Sequence, residues 1–160
     1  QLESRNMTDN LSTISISSAN IFFLNFSGQP SRYNKDGNRD FAVEVPTEMV
    51  SDLQADGWNV KFRKDQDKNP DPEHPYLTVK VRYGFRPPAI WMIVGDTKTL
   101  LTEESVGLLD NADIANVDLV IQPRPYEIGG STGVAAYVKT MYVTIAPDEF
   151  SERYADLEIR

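Results

Sequence analysis

The pattern that most constrains the fold lies in Trp58–Tyr83, where two segments alternate strictly between apolar and polar side chains. WNVKFRK (58–64) and YLTVKVRY (76–83) each place an apolar side chain at every second position. Successive side chains of a β-strand point to opposite faces, so each segment has an apolar face and a basic face. The sequence therefore predicts two paired strands joined by a polar, proline-rich loop.

If the apolar faces meet the core, the basic residues of both strands share the outer face. These residues are Lys61, Arg63, Lys80 and Arg82, with Tyr76 beside them. Such a face suits a single-stranded nucleic acid, because cations follow the phosphates and aromatic rings stack on the bases. An ordinary solvated face has the same composition, so these two strands alone leave both interpretations open.

The net charge of −8 at pH 7 argues against a nucleic-acid partner at first sight. However, residues 28–98 hold 11 of the 16 Lys and Arg residues and 11 of the 24 Asp and Glu residues. The whole acidic excess therefore lies outside this central segment. Exposed charges are screened over roughly 8–10 Å at ordinary ionic strength, so a local basic face can still attract phosphates.

The length of 160 residues fits a single folded domain, predicted at 19–146. Residues 1–18 are polar and predict a flexible arm or an edge segment, and residues 147–160 form an acidic tail. Met7 is a candidate native start, which would make residues 1–6 an addition from cloning. The absence of cysteine excludes disulfides and thiolate metal sites and suits an intracellular protein. The longest apolar run, Ala89–Val94, is too short to cross a membrane.

Hydrophobic patterning and turn residues predict five further strands and two short helices. The strands are Ala19–Phe26, Phe41–Val45, Ala89–Val94, Val117–Ile121 and Val134–Ile145; the helices are Thr47–Asp56 and Thr102–Leu109, and 127–133 is a turn. This predicts an all-β fold with two short helices, best matched by an oligonucleotide-binding (OB) type Greek-key barrel with extra strands. A jelly roll or an immunoglobulin-like sandwich is the structural alternative.

Other candidate nucleic-acid contacts lie outside the two alternating strands. The loop 27–38 and the residue after it carry Arg32, Tyr33, Lys35 and Arg39. Lys139 and Tyr142 lie in the last predicted strand, where Tyr142 shares a half-polar face with two threonines. We include these six residues among the predicted DNA contacts because they add charge or a stacking ring.

Nothing in the sequence predicts an enzyme, a cofactor or a metal site. The acidic segment 65–71 resembles the start of a calcium loop, but Pro70 stands where that loop needs glycine and Tyr76 where it needs glutamate. His74 is the single histidine, and it lies in a proline-rich segment with no nucleophile indicated nearby.

Five segments also carry a resemblance to a known family: FLNFSG (23–28), YNKDGNRDF (33–41), DGWNV (56–60), TKTLLTEESVGLLDNADIANVDLVIQP (97–123) and GVAAYVKTMYVTI (133–145). Together they resemble the OB-fold single-stranded DNA-binding proteins of tailed bacteriophages, in the helix-destabilising class. The resemblance implies non-sequence-specific binding and protection of single strands during phage DNA replication and recombination, in the bacterial host cytoplasm. It implies no individual contact residue.

The acidic tail is similar to the tails of this functional class, which compete with DNA or recruit replication proteins. We therefore expect single-stranded DNA as the partner, phage replication proteins as a second partner through the tail, and no membrane. The alternative function is a β-sandwich virion or host-interaction protein that binds protein and not DNA. The sequence leaves the oligomeric state open.

Overall fold

The computed structural model describes residues 11–32, 34, 36–84 and 86–147. Within them the chain forms nine strands: β1 (Ile14–Ile16), β2 (Ile21–Asn25), β3 (Arg39–Glu44), β4 (Lys61–Lys64), β5 (Pro70–Val81), β6 (Ala89–Val94), β7 (Thr97–Leu101), β8 (Ile114–Ile128) and β9 (Ser131–Ile145). Helix α1 (Val50–Ala55) directly follows the 3-10 helix Thr47–Met49, and a further 3-10 helix spans Val106–Asn111. None of the helices in these ranges is long and apolar enough to cross a membrane.

All nine strands belong to one mixed sheet, in the order β1-β8-β9-β5-β3-β2. Strand β4 pairs with β5, β6 pairs with β9, and β7 pairs with β6. Most pairs are antiparallel, but β9 runs parallel to both β5 and β6. Strand β5 is central because β3 follows one of its edges while β4 and then β9 share the other.

The core is a single cluster that draws side chains from both ends of this sheet. It reaches from Ile14 on β1 to Phe41 on β3, and includes Leu53 of α1 and Leu109 of the second 3-10 helix. Strands so far apart in the sheet order can share one core only if the sheet curls around it, as in a barrel. The other face of each strand is thereby left for solvent or a ligand.

Strands β8 and β9 form a long hairpin whose two-residue turn is Gly129-Gly130, with φ of 55° and 85°. Two successive positive φ values are the geometry of a type I′ turn, which glycine adopts without strain. Lys139 is an extra residue in β9, because Val120 pairs with Thr140 while Ile121 pairs with Val138. This bulge reverses the alternation, so even-numbered residues before it and odd-numbered residues after it are buried: Val134, Ala136, Val138, Met141 and Val143.

The predictions for β6 and for the first helix are confirmed, since β6 has the predicted bounds and the two helical segments cover 47–55. The loop inside the alternating segment is shorter than predicted, because β5 already begins at Pro70 and leaves only 65–69 between the strands. Residues 70–75 of β5 pair with β4 but not with β3, and prolines are tolerated on a strand with one open edge.

Four other predictions need correction. The helix 102–109 is a turn followed by the 3-10 helix, and the strand 117–121 extends to the whole of β8. The turn 127–133 shrinks to two glycines, which alone satisfy the hairpin geometry. Residues 11–18 are not all flexible, because Ile14 is buried and β1 pairs with β8, as the edge-segment alternative predicted.

Strand β7 was missed, although Gly95-Asp96 is a typical hairpin turn.

Gly28 closes the loop that connects β2 to β3. It has a φ of +73°, and a Cβ added there would lie 2.7 Å from the carbonyl oxygen of Gly37. Gly95 offers a matched comparison, because its φ is +59° and no atom lies within 4 Å of its added Cβ. The two ends of the loop therefore cross too closely for any side chain at position 28.

We expect Gly28→Ala to destabilise the protein more than Gly95→Ala does. A left-handed residue other than glycine costs roughly 1–2 kcal/mol, which is the whole cost expected for Gly95→Ala. Gly28→Ala adds a backbone clash to that cost. Urea denaturation of both variants gives the free energies of unfolding. Equal losses in the two variants would show that the close crossing contributes nothing.

Candidate nucleic-acid interface

The outer face of the sheet is built on the alternation of β5. Leu77, Val79 and Val81 are buried, while Tyr76, Thr78 and Lys80 between them are half-buried on the opposite face. The neighbouring strands add Lys61, which pairs with Tyr76, and Asp40, which pairs with Lys80. Lys61 and Lys80 therefore lie on the same outer face, together with the acidic Asp40.

An open groove of ≈ 610 Å³ crosses this face between β5 and the β8–β9 hairpin. Its polar and aromatic lining includes Lys61, Thr78, Lys80, Arg124, Tyr126 and Tyr137. Lys61 also places its Nζ 3.4 Å from the hydroxyl of Thr78, which holds its amine over the groove floor. The groove thus combines three cations with two tyrosine rings.

Tyr137 lies in the middle of this groove with a cation on each neighbouring strand. It pairs with Lys80 of β5 in the parallel register, and the Lys80 Nζ is 5.8 Å from the ring centroid. On β8, the guanidinium carbon of Arg124 lies 4.3 Å from the same centroid. Both distances are within the range of cation–π attraction, which favours an ordered ring and ordered charges.

A second depression of ≈ 500 Å³ continues the groove, since Arg124 and Tyr137 line both. It adds Arg82, whose Nη1 donates a hydrogen bond of 2.9 Å to the Asn38 side-chain oxygen. Arg39 also lines it, but its guanidinium is engaged: Nε donates to the Phe26 carbonyl and Nη1 pairs with Glu103 at 3.3 Å. Arg39 therefore stabilises the β2–β3 loop, and its guanidinium is only partly available to a ligand in the groove.

Asp40 is the carboxylate that lies among these cations. Burial raises the pKa of Asp40 from its ordinary value of 3.8, and the charges of Lys61, Lys80 and Arg82 oppose that rise. Desolvation is the larger effect, because the carboxyl is half-buried and burial disfavours its ionised form. The negative charge of Asp40 would repel a phosphate that approached the same three cations.

Tyr83 closes the floor of the second depression. Burial raises the pKa of Tyr83 to about 12, and the nearby Arg39 lowers it by a smaller amount. Its hydroxyl is buried and makes no hydrogen bond to any residue in the described ranges. The phenol therefore stays neutral and acts as packing under the groove.

The remaining predicted contacts from β4 and β5 lie in a separate aromatic cluster beyond Lys61. The guanidinium carbon of Arg63 is 4.3 Å from the Phe22 ring centroid, and Tyr76 meets Phe22 edge-on at 5.2 Å. Phe23 completes the cluster. Arg63 and Tyr76 are thus on the predicted face but do not line the groove.

Tyr142 lies on the far side of the β9 bulge, in another cation–aromatic group. The Nζ of Lys98 is 4.7 Å from the Trp91 centroid and 5.9 Å from that of Tyr142. Lys139 is the exposed bulge residue itself. Neither Lys139 nor Tyr142 lines the groove.

The predicted contacts in the first loop divide between described and undescribed residues. Arg32 is exposed near the turn formed by Ser31 and Asn34. Tyr33 and Lys35 lie outside the described residues. The side chain of Asn34 donates to the carbonyls of Gln29 and Asn38, which ties this loop to the start of β3.

The two central groove residues, Arg124 and Tyr137, were missed by the sequence analysis. Arg124 stands between two prolines, beyond the end of the predicted strand Val117–Ile121, although β8 continues through it. Tyr137 alternates with buried residues in VAAYV, and this pattern could have placed it on the outer face. Its position beside Lys80 depends on a parallel pairing of distant segments, which no local pattern encodes.

No cluster of three or more potential metal ligands is found among the residues that the structure describes. The calcium-like segment instead forms the tight β4–β5 connection. There the Asp65 carboxylate accepts hydrogen bonds from the backbone N–H groups of Asp67 and Asn69. Its oxygens stabilise a turn, as Asp side chains commonly do.

Comparisons with known proteins identify the family and the fold. A family profile described as "Putative phage ssDNA-binding domain" matches residues 3–159. A search of curated proteins gives no significant match.

Among solved structures, the chain is similar to a C-terminally truncated single-stranded DNA-binding protein of bacteriophage Enc34. The TM-score is 0.54 at 10% identity, covering 85% of this chain and 87% of that one. The Enc34 protein in complex with single-stranded DNA gives a TM-score of 0.52 at 11% identity, covering 86% and 89%. At such low identity the likeness concerns the fold, and it confirms the predicted all-β, OB-like class.

The family match favours the DNA-binding prediction over a protein-binding β-sandwich, and its members are DNA-binding proteins rather than enzymes. The profile spans nearly the whole chain, and the fold agrees with it independently. This chain therefore belongs to the family of phage single-stranded DNA-binding domains.

Proposed function

We propose that this chain binds single-stranded DNA without sequence preference along the continuous groove between β5 and the β8–β9 hairpin. Tyr137 stacks on a base, while Lys61, Lys80, Arg82 and Arg124 neutralise phosphates. The observation that carries the proposal is the Tyr137 ring lying between Lys80 at 5.8 Å and Arg124 at 4.3 Å, where the two depressions meet. The family supports single-stranded DNA as the ligand.

The lack of sequence preference follows from the chemistry of these contacts. Phosphates are the same for every base, and each base presents a π-face to an aromatic ring. The groove is also open and does not enclose a single base in a deep pocket. We therefore expect similar affinities for homopolymers, apart from differences in stacking strength and backbone flexibility.

The other predicted contacts would meet only DNA that extends beyond the groove, or would act indirectly. Arg32, Tyr33 and Lys35 belong to the loop whose end lines the second depression, so they would meet DNA that extends past Arg82. Lys139 and Tyr142 would do so only if the strand crosses the β9 bulge. Arg39 acts mainly by fastening the loop.

We propose further that the protein works in the cytoplasm of the bacterial host, where it protects single strands exposed during phage DNA replication and recombination. The tail at 147–160 carries five acidic and two basic residues. Its charge suits competition with DNA for the groove and recruitment of phage replication proteins. Both roles of the tail are part of this proposal, and residues 148–160 lie outside the described ranges.

We expect loss of each groove cation to reduce the salt dependence of binding. Each phosphate neutralised on a single strand contributes about 0.7 to the slope of log K against log[salt]. Lys61→Ala, Lys80→Ala and Arg124→Ala should each flatten the slope by up to about 0.7, and the triple variant by up to about 2.1. Fluorescence anisotropy of labelled oligo-dT across a salt series measures these slopes.

Lys64→Ala is the matched control, because Lys64 is an exposed lysine on the same strand as Lys61 but does not line the groove. Its slope should equal that of the wild type. A folded triple variant with an unchanged slope would contradict the proposed phosphate path.

We expect Tyr137→Ala to weaken binding and Tyr137→Phe to preserve it. Stacking of a base on an aromatic ring contributes about 1–3 kcal/mol, and phenylalanine keeps the ring. Alanine also removes the surface over which Arg124 is held. Titration of both variants with oligo-dT at one salt concentration gives the comparison. If Tyr137→Ala binds as tightly as the wild type, the base does not stack there.

We expect Asp40→Asn to raise DNA affinity at neutral pH, because the ionised carboxylate repels phosphates beside Lys61, Lys80 and Arg82. The raised pKa of Asp40 means that its carboxyl gains a proton at a higher pH than an ordinary aspartate. Wild-type affinity should therefore rise more steeply than that of the variant as the pH falls through that pKa, because only the wild type carries the Asp40 carboxylate. The ratio of the two affinities should approach one in acid, because all the other charged groups are common to both proteins.

Weaker binding by Asp40→Asn at neutral pH would show the opposite role. The carboxylate would then hold the cations in place for DNA rather than oppose it.

A further inference from the structure

The aromatic cluster at the β2 end of the outer face has a feature that packing does not explain. Phe23 is 64% exposed and has a φ of +52°. A bulky residue in the left-handed region is a genuine backbone outlier, at a position that glycine normally fills. Strain of this kind clusters at functional sites, which makes this position a candidate for one.

A β-bulge produces this placement. Phe22 pairs with Ala42 and Asn25 pairs with Asp40, so β2 contains one more residue than β3 across this interval. The extra residue turns the Phe23 ring outward, next to the ring of Phe22. Phe23 meets Phe22 edge-on with centroids 4.7 Å apart and meets Tyr76 at 6.0 Å.

Arg63 gives the cluster a positive charge. Its guanidinium carbon lies 4.3 Å from the Phe22 centroid and 5.7 Å from the Phe23 centroid. The nearby carboxylate of Glu44 approaches His74, with Oε2 3.3 Å from Nδ1. Exposed rings next to a guanidinium are the combination that holds a base and its adjoining phosphate.

The cluster continues the surface of the proposed groove. Tyr76 pairs in register with Lys61, and Lys61 lines the groove. Tyr76 and Lys80 lie on the same face of β5, four residues or about 13 Å apart at 3.3 Å per residue. A strand that leaves the groove past Lys61 would therefore meet Tyr76 and then the two phenylalanines.

We propose that Phe22, Phe23 and Tyr76, with Arg63 beside them, form a second base-stacking site for the same DNA strand. The proposal rests on the proposed function, because the groove determines where the strand leaves. DNA long enough to reach beyond Lys61 places a base against the exposed Phe23 ring, and Arg63 meets the neighbouring phosphate. Short DNA fills the groove alone and does not use this site.

The test compares Phe23→Gly with the wild type on oligo-dT of about four and about sixteen nucleotides, the range of site sizes of OB folds. Glycine suits the backbone at a φ of +52°, so the variant should keep its thermal stability to within a few degrees. Affinity for the long oligonucleotide should fall about 5- to 150-fold, and affinity for the short one should not change. The salt slope should also stay the same, because no charge is lost.

Leu108→Ala is the control, since Leu108 is 59% exposed but lies on the second 3-10 helix and does not line the groove. It should bind both oligonucleotides as the wild type does. If Phe23→Gly fails to fold, Phe23→Leu replaces it, because leucine keeps an apolar side chain without an aromatic ring and should show the same selective loss.

Two results would overturn the proposal. Unchanged affinity for the long oligonucleotide would show that no base stacks on this cluster. Equal loss at both lengths would show that the cluster supports the groove structurally. The failure of the proposed function looks different, because the groove variants Lys61→Ala, Lys80→Ala and Arg124→Ala would then leave binding of the short oligonucleotide unchanged.

Discussion

The short parallel contact between β5 and β9 is the constraint on which the proposed interface depends. It pairs Val79 with Ala136 in the core and Lys80 with Tyr137 on the outer face. The long β8–β9 hairpin then carries Arg124 to the other side of the Tyr137 ring. A few backbone contacts thus join two distant parts of the chain into one groove of alternating cations and rings.

The sequence predicted the half of this interface that local periodicity encodes. Alternation in β5 identified the outer face with Lys80, and the basic residues of β4 fell on the same face. Tyr137 and Arg124 could not be placed beside Lys80, because their position depends on long-range pairing and on a hairpin longer than its apolar residues indicate. The bulge at Lys139 also reverses the alternation within β9, so one period does not describe the whole strand.

Local arrangement also explains how a chain with a net charge of −8 can present a surface for a polyanion. The groove cations lie close together on neighbouring strands, while charges farther away are screened over about 8–10 Å. Asp40 is a carboxylate that lies close to Lys61, Lys80 and Arg82, and its burial disfavours its own ionised form. At Phe23 the cost lies in the backbone, which adopts a strained conformation that leaves the ring exposed.

The most direct test of the central claim is an amide chemical-shift map of the ¹⁵N-labelled protein with unlabelled oligo-dT. If DNA lies in the groove, the largest shifts should fall on residues 78–82 at the end of β5, 122–126 of β8 and 135–138 of β9. The β4–β5 turn at 65–69 and the 3-10 helix Val106–Asn111 should change little. Shifts that concentrate on β6, β7 and the part of β9 beyond Lys139, with residues 78–82 unaffected, would contradict the account.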